Sequence, residues 1–200
     1  MILVMSATDS SVETVSPKRD HLMATAWRLF YRDGYRAVGI DTLLDEAEVA
    51  KMTLYNHFDS KEALIVAVLE KRSAAFNAMV RASVTEAGRS PVRQLEAVFE
   101  GLHRLFADKE FKGCGFIRAL SEYPEPDHPI HRAAWKHKLT LRALFSEIGA
   151  NAGVKQSTAF ADTIGMLVDG AIVAAHATGK TDPADTARVA AVSLLKMASG

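Results

Sequence analysis

Between residues 34 and 64, apolar positions follow a helical spacing that stops and then restarts. Four of them fall at i, i+3, i+4 and i+7, as the inward face of a short amphipathic helix requires: Ile40, Leu43, Leu44 and Ala47. After residues 48–50, a second short helix is predicted, with Leu54 and Phe58 one turn apart on its inward face. Two short helices joined so closely predict a helix-turn-helix, a motif whose second helix can enter the DNA major groove.

The other predicted elements are also helices. A first helix begins near Pro17 and ends at Gly34, and its inward stripe consists of Leu22, Ala26, Leu29 and Phe30. Further stripes, bounded by Gly, Pro and the N-caps Ser60, Ser90 and Asp182, predict helices over about 60–86, 91–107, a short segment ending at 123, 130–149, 157–178 and 183–198. The sequence therefore predicts an all-α protein.

The last two predicted helices carry more apolar surface than one bundle needs. Between residues 157 and 178 nearly every side of the helix is apolar, and both this helix and 183–198 are rich in small side chains. A helix that is apolar on most sides must be buried on most sides. We therefore expect these helices to pair with those of a second copy in a four-helix bundle, the alternative being an ordinary intramolecular core.

Composition restricts the class of protein. Of the 200 residues, 48% are hydrophobic and 24% are charged, which excludes a disordered chain. The single cysteine, Cys114, allows neither an intrachain disulfide nor a zinc-finger-type site. The opening MILVM lacks the basic lead-in of a signal peptide, and no apolar run reaches the length of a membrane span, so a cytoplasmic protein is expected.

Charge argues mildly against binding to nucleic acid as a global property. The net charge of the chain is zero, and residues 17–62 contain seven basic and eight acidic side chains, a net −1. DNA binding therefore requires that the positive charge be concentrated on one face, and a dimer would double the few phosphate contacts of each subunit.

The outward residues of the second short helix are compact hydrogen-bonding groups. Thr53 and Asn56 can reach base edges, since Asn can pair with both edge atoms of adenine, and Met52 is a third candidate beside them. The residues expected to hold phosphates are Lys51, Tyr55, His57 and Lys61. A structural three-helix unit with a polar surface is the alternative.

The stretch from Arg19 to Val68 resembles the DNA-binding domain of the TetR family of bacterial transcription regulators. The resemblance rests on residues at fixed offsets: Leu29, Phe30, Gly34, Tyr35, Ile40, Ala47, Val49, Lys51, Thr53, Leu54, Tyr55, His57, Phe58, Ser60, Lys61 and Glu62. Glu48 departs from the pattern by replacing the usual turn glycine, and it would be strained if this position needs a positive φ. Gly39 and Ala50 replace the usual capping residues of the two short helices, and Met52 replaces a frequent glycine.

The resemblance implies a homodimeric transcription regulator, usually a repressor, that leaves a palindromic DNA operator when a small-molecule effector binds. Residues 1–16 mix Ser, Thr, Asp and Glu without periodicity, so they are expected to form a flexible tail. The implied domains are a helix-turn-helix domain at 17–65 and an effector-binding and dimerisation domain at 66–200. Dimerisation would use the helices at 157–178 and 183–198. An activator, or a helix-turn-helix module that mediates protein contacts without an effector, is the alternative.

The C-terminal half supplies aromatic and polar side chains in apolar surroundings, which is the composition of a small-molecule pocket. The candidates are Phe99, His103, Phe106, Phe116, Tyr123, Trp135, His137, Met166 and His176. Core packing is the alternative for each of them. The spacing of the histidines and of Cys114 demonstrates no metal site, and no catalytic motif indicates an enzyme, so neither a cofactor nor a reaction is expected.

Overall fold

The computed structural model describes residues 16–200, which fold into helices without any β-strand. The rest of the predicted N-terminal tail, residues 1–15, lies outside the described residues. The helices are α1 (Pro17–Asp33), α2 (Ile40–Ala47), α3 (Lys51–Tyr55), α4 (Lys61–Glu86), α5 (Pro91–Phe106), α6 (Gly115–Glu122), α7 (Pro129–Asn151), α8 (Ser157–Thr178) and α9 (Asp182–Ala198). The predicted all-α fold class is confirmed.

Local sequence signals account for most helix ends. α1 ends where Gly34 takes a φ of 100°, a conformation that glycine adopts without strain. The hydroxyls of Ser60 and Ser90 cap α4 and α5, accepting hydrogen bonds from the backbone N–H groups of Ala63 at 3.1 Å and Arg93 at 3.4 Å. Both N-caps therefore lie where the sequence places them.

Two boundaries differ from the sequence-based prediction. Gly149 does not end α7 but lies buried inside it, where a Cβ atom would come within 2.7 Å of the Phe160 ring. This glycine therefore allows α7 and α8 to approach closely instead of stopping a helix. Thr181 occupies the N-cap position of α9, and Asp182 is its first helical residue.

Two clusters of buried side chains hold the helices together. The first belongs to the head, which we define as residues 17–65, and is built around Leu22, Phe30, Leu54 and Leu64. It also takes in residues of α6 and α7, namely Phe116, Ala119, Tyr123, Ile130 and Ala134. The second cluster joins α5, α7, α8, α9 and the C-terminal part of α4. The head is thus packed directly onto α6 and the beginning of α7.

One side of α8 and one side of α9 remain exposed in the single chain. On α8, Met166 and Val173 are 63% and 55% exposed, and on α9, Val189 and Met197 are 60% and 80% exposed. The opposite side of α8 packs on α7 and α9. Within residues 16–200, α8 is also the one helix long and apolar enough to cross a membrane, a test that the core helices of other proteins pass as well.

Candidate functional site

The helix-turn-helix consists of α2, the turn at residues 48–50 and the short α3. Leu54 anchors α3 because its side chain is fully buried in the head cluster. Phe58 follows the helix in a turn, but its backbone N–H still donates to the carbonyl of Leu54 at 2.9 Å, and its ring is buried. These two side chains fix the orientation of residues 51–57, which we call the recognition segment.

The recognition segment presents most of the predicted DNA-binding residues at the surface. Lys51, Met52, Tyr55 and Asn56 are exposed, and Thr53 and His57 are half-buried. Asn56 and His57 lie just beyond the last helical residue of α3, which is only five residues long. One surface therefore carries groups suited to bases and groups suited to phosphates.

Lys61 stands apart from the recognition segment. It begins α4, and its ammonium donates to the backbone carbonyl of Arg36 at 3.4 Å, in the connection between α1 and α2. Burial lowers the pKa of this ammonium. A phosphate contact by Lys61 would therefore compete with a contact inside the head.

The turn between α2 and α3 requires a left-handed residue. Glu48 has φ 51° and ψ 42°, and it is the one non-glycine residue with positive φ within residues 16–200. Its backbone N–H caps α2 by donating to the carbonyl of Asp45 at 3.2 Å. The strain expected for a side chain at this position is therefore present.

Ion pairs within the head, and between the head and α4, neutralise some of its acidic side chains. Arg28 pairs with Glu46 of α2 at 2.6 Å, and Lys71 of α4 pairs with Asp20 at 2.5 Å. Lys51 forms no such pair within the described residues and is exposed on the recognition segment. Glu46 and Asp20 are thus neutralised by basic partners that lie outside α3, which lowers the negative charge that would oppose DNA binding.

Helix α6 holds the head through the side chain of Glu122, in an arrangement that we call the α6 clasp. One carboxylate oxygen accepts from the N–H of Tyr35 at 3.1 Å, and the other accepts from the N–H of Arg36 at 2.7 Å. The Arg36 guanidinium in turn donates to the Glu122 carbonyl at 2.7 Å and lies 4.8 Å from the centre of the Tyr123 ring. Charge-assisted hydrogen bonds of this kind are about twice as strong as neutral ones.

The N-terminal end of α6 forms a second attachment to the head. The buried hydroxyl of Tyr35 donates to the carbonyl of Gly115 at 3.1 Å, and that of Tyr31 donates to the carbonyl of Gly113 at 2.9 Å. A Cβ atom on Gly115 would lie 2.7 Å from the Trp27 ring, so α6 and α1 approach closely here. Both ends of α6 are therefore bonded to the head.

The predicted pocket residues do not converge on one cavity. Five of them are buried: Phe99, Phe106, Phe116 and Tyr123 belong to the two clusters, and His137 is a buried polar residue outside them. His103 pairs with Asp185 at 3.1 Å on the surface between α5 and α9. Trp135, Met166 and His176 are exposed. Only Phe116 and His137 are in direct contact as a ring pair, stacked with centroids 3.6 Å apart.

His137, which is buried, belongs to a chain of hydrogen bonds with the half-buried Ser73 and Asn77 of α4. The amide nitrogen of Asn77 donates to the Ser73 hydroxyl at 3.1 Å, and the Ser73 oxygen lies 3.0 Å from Nδ1 of His137. Burial, with a smaller contribution from the charge of Lys138, lowers the pKa of His137 to about 3. The imidazole is therefore neutral at ordinary pH and acts as a hydrogen-bonding group.

A groove opens between the C-terminal ends of α4 and α7 and the beginning of α5. Its volume is about 450 Å³, within the usual range of ligand sites. The floor consists of the apolar side chains Val84, Leu144 and Ile148, and the charged residues at its rim include Arg81, Arg89 and Glu147. None of the nine candidate residues named from the sequence lines this groove.

Residues outside the sequence-based candidates thus make up much of the site. The α6 clasp, the hydrogen bonds around His137 and the groove all depend on contacts between segments far apart in the chain, such as the 87 positions between Tyr35 and Glu122. Helical spacing reports which side of a helix is buried, but not its partner. Among the resemblance residues, only Gly34 and Tyr35 lay at one of these contacts.

Comparisons with known proteins agree with this architecture. Residues 22–68 match the profile of "Bacterial regulatory proteins, tetR family". The crystal structure of SCO4454, a TetR-family transcriptional regulator from Streptomyces coelicolor, superposes with a TM-score of 0.82 and 33% identity over 92% of this chain and 96% of that one.

Two curated relatives differ in the direction of regulation that their names state. The transcriptional repressor NemR of Escherichia coli is 28% identical over 131 residues, which cover 64% of this chain and 65% of NemR. The transcriptional activator FasR of Mycolicibacterium smegmatis is 28% identical over 153 residues, which cover 75% of this chain and 67% of FasR. Because the family profile matches its head and SCO4454 is 33% identical over 92% of its residues, the chain belongs to the TetR family of bacterial transcription regulators.

Proposed function

We propose that this protein is a homodimeric, effector-responsive repressor that places two recognition segments in successive major grooves of a palindromic operator. The observation that carries the proposal is the recognition segment itself. Leu54 and Phe58 hold it from inside, and its polar side chains face outward. An activator would use the same geometry on DNA, and the name of FasR keeps that alternative open.

The side chains of the recognition segment divide into two roles. Thr53 and Asn56, with Met52 beside them, read base edges, while Lys51, Tyr55 and His57 bind phosphates. Lys61 adds a phosphate contact from the first turn of α4 if it exchanges its hydrogen bond to the head. Base contacts determine which sequence is bound, whereas phosphate contacts determine affinity and its dependence on salt.

The exposed sides of α8 and α9 support the proposed dimer. On α8, Met166, Gly170, Val173 and Ala177 are exposed at i, i+4, i+7 and i+11, so they form one stripe along the helix. On α9 the exposed positions Val189, Ser193 and Met197 repeat every four residues. A two-fold axis that pairs these stripes buries them in a four-helix bundle.

The α6 clasp supports the proposed effector response. α6 is bonded to the head at both ends and stacks Phe116 on His137 of α7, so a displacement of α7 or α6 is passed to the head. An effector that prefers a different separation of the two heads weakens DNA binding by its difference in affinity for the two states. Recognition segments on one face of DNA must lie about 34–36 Å apart, one helical turn.

Selection of bound sequences from a random double-stranded DNA pool, with light scattering to establish the oligomer, tests the proposal. We expect a palindrome whose half-sites are centred about one turn, or roughly 10–10.5 base pairs, apart. A folded dimer that enriches no sequence, or a monomer that binds a single half-site, would contradict the proposed mode of DNA binding.

Two variants distinguish the roles on the selected operator. Asn56→Ala should change the preferred base at one position of each half-site, with a cost of about 1–3 kcal/mol for the original base. Lys51→Ala should weaken all sequences alike and reduce the slope of log K against log salt by about 0.9 for each phosphate that the lysine no longer neutralises. If the two variants shift preference and salt slope equally, the assignment of roles is wrong.

A further inference from the structure

We propose that a site between α4 and α7 binds a small organic anion that carries a hydrogen-bond donor at its far end. This inference rests on the effector half of the proposed function and names the chemistry of the effector. We call the site the α4–α7 seam. Its facing residues are Ser73, Asn77, Arg81 and Val84 of α4 and His137, Leu144, Glu147 and Ile148 of α7.

The inner end of the seam contains an unpaired acceptor. Asn77 uses its amide nitrogen to donate to Ser73, but its Oδ1 atom is buried and has no hydrogen-bond partner within residues 16–200. Because the Ser73 oxygen already accepts from Asn77, its own proton is available to donate to Nδ1 of His137. Among the buried side-chain nitrogen and oxygen atoms of residues 16–200, Oδ1 of Asn77 is the one that lacks a hydrogen-bond partner.

An unpaired buried carbonyl destabilises a fold, and native proteins contain few of them. A ligand that presents an O–H or N–H group to Oδ1 would remove this penalty on binding. The donor end of the ligand should be uncharged, since the neighbouring His137 is neutral and no carboxylate belongs to the chain of hydrogen bonds around it.

The outer end of the seam is the groove with its cationic rim. Arg81 is shared with Glu147, at 3.6 Å between two half-exposed side chains, and this long contact leaves the guanidinium able to bind a second anion. Among the described residues no carboxylate pairs with Arg89, which lines the same groove. Two guanidinium groups against one carboxylate leave a net positive rim, which favours a carboxylate or phosphate on the ligand.

The two ends lie close together along α4, but Asn77 does not line the groove and its Oδ1 is closed to solvent, so a ligand that reaches both must part the side chains packed between them. Asn77 and Arg81 are four residues apart on α4, a rise of about 6 Å along the helix. A benzene ring with a hydroxyl and a carboxylate in para positions spans a comparable distance. The apolar floor formed by Val84, Leu144 and Ile148 suits the flat face of such a ring.

Isothermal titration of the full-length protein with three related probes tests the chemistry. The probes are 4-hydroxybenzoate, 4-methoxybenzoate, which lacks the donor, and 4-hydroxybenzyl alcohol, which lacks the charge. We expect saturable binding of 4-hydroxybenzoate and binding about tenfold weaker, or more, for each of the other two. No saturable binding of 4-hydroxybenzoate up to about 10 mM, or equal binding of all three probes, would overturn the proposal.

Two variants assign the ends of the ligand. In Asn77→Leu the preference for the hydroxyl over the methoxyl probe should disappear. The melting temperature should change little, because removal of the unpaired carbonyl offsets the loss of the hydrogen bond to Ser73. In Arg89→Ala the preference for the acid over the alcohol should shrink. The matched control is Arg93→Ala, since Arg93 is paired with Glu96 at 2.7 Å and does not line the groove. If Asn77→Leu keeps the hydroxyl preference, or if Arg93→Ala behaves as Arg89→Ala does, the proposed site is wrong.

Release of operator DNA on addition of 4-hydroxybenzoate, measured by fluorescence anisotropy, tests the α4–α7 seam and the effector response separately. Probe binding without release would leave the α4–α7 seam standing and contradict the effector half of the proposed function. Release with an unchanged response in Asn77→Leu and Arg89→Ala would support an effector response but place its site elsewhere.

Discussion

Replacing Glu48 by glycine should stabilise this protein, although the change removes a side chain. Glu48 is held at φ 51° and ψ 42° by the turn between α2 and α3, and its carboxylate is exposed. A side chain with a Cβ atom in the left-handed region costs roughly 1–2 kcal/mol, whereas glycine adopts it freely. Glycine also lowers the free energy of unfolding by about 0.4–1 kcal/mol, because an unfolded chain with glycine has more conformational entropy to lose on folding.

The net gain from Glu48→Gly therefore lies between about 0 and about 1.6 kcal/mol, with a central value of about 0.8 kcal/mol. For a chain of this length, the central value corresponds to a rise of roughly 2–3 °C in melting temperature, which calorimetry resolves. Glu48→Gln is the matched control, because it removes the same charge but keeps the left-handed Cβ atom. Operator affinity should increase equally in both variants, since each removes a negative charge next to the recognition segment.

The comparison of the two variants isolates the backbone contribution. If Glu48→Gly melts at or below the temperature of Glu48→Gln, the left-handed φ of residue 48 does not strain the turn. If only the glycine variant gains operator affinity, the gain comes from a repositioned α3 and not from charge.

The proposed bundle, the α6 clasp and the buried His137 can each be tested by substitution. Gly170→Leu should fold, because a Cβ atom there meets nothing within 4 Å in the single chain, but it should be a monomer in light scattering, because the leucine lies in the proposed contact between the two copies of α8. Gly101→Leu on α5, whose Cβ would meet only one side-chain atom at 3.9 Å, should remain a dimer. Glu122→Ala should increase hydrogen exchange of the two backbone amides that its carboxylate binds by about tenfold or more, whereas Glu125→Ala in the next loop should leave them unchanged. Burial lowers the pKa of His137 from 6.5 to about 3. Between these two values of pH, only the unfolded chain binds a proton at this histidine. The free energy of unfolding should therefore decline by up to about 1.4 kcal/mol for each pH unit as the pH falls from 6.5 to about 3. The difference in acid stability between the wild type and His137→Leu measures that contribution, and equal slopes would contradict it.

The sequence predicts the helices well because each buries one face. Leu22, Phe30 and Leu54 sit on regular helical spacings, and all three are fully buried in the head cluster. The strain at Glu48 was also predictable, since a residue with a Cβ atom stands in a turn that usually holds glycine. Local signals of this kind depend on neighbours only a few positions away.

The candidate effector region was less accessible to sequence reasoning. The candidates Trp135 and Met166 are both exposed, because residue type does not tell which side of a helix faces the bundle. Asn77 and Ser73 carry no pattern at all, and their importance depends on a hydrogen bond across 64 positions to His137. Gly149 was wrongly predicted to end α7, because close packing against Phe160 also requires a glycine inside a helix.

The position of α6 explains how a ligand between α4 and α7 could act on DNA. Phe116, in the first turn of α6, stacks on His137, and the preceding residue, Gly115, accepts the hydrogen bond of Tyr35 in the head. At the other end of α6, Glu122 binds two backbone N–H groups of the α1–α2 connection. Because both ends are bonded, α6 cannot tilt without moving the head or breaking one of these contacts. A ligand that displaces His137 therefore changes the head position only as far as the α6 clasp holds, and weakening the clasp at Glu122 should reduce the effector response while ligand binding persists.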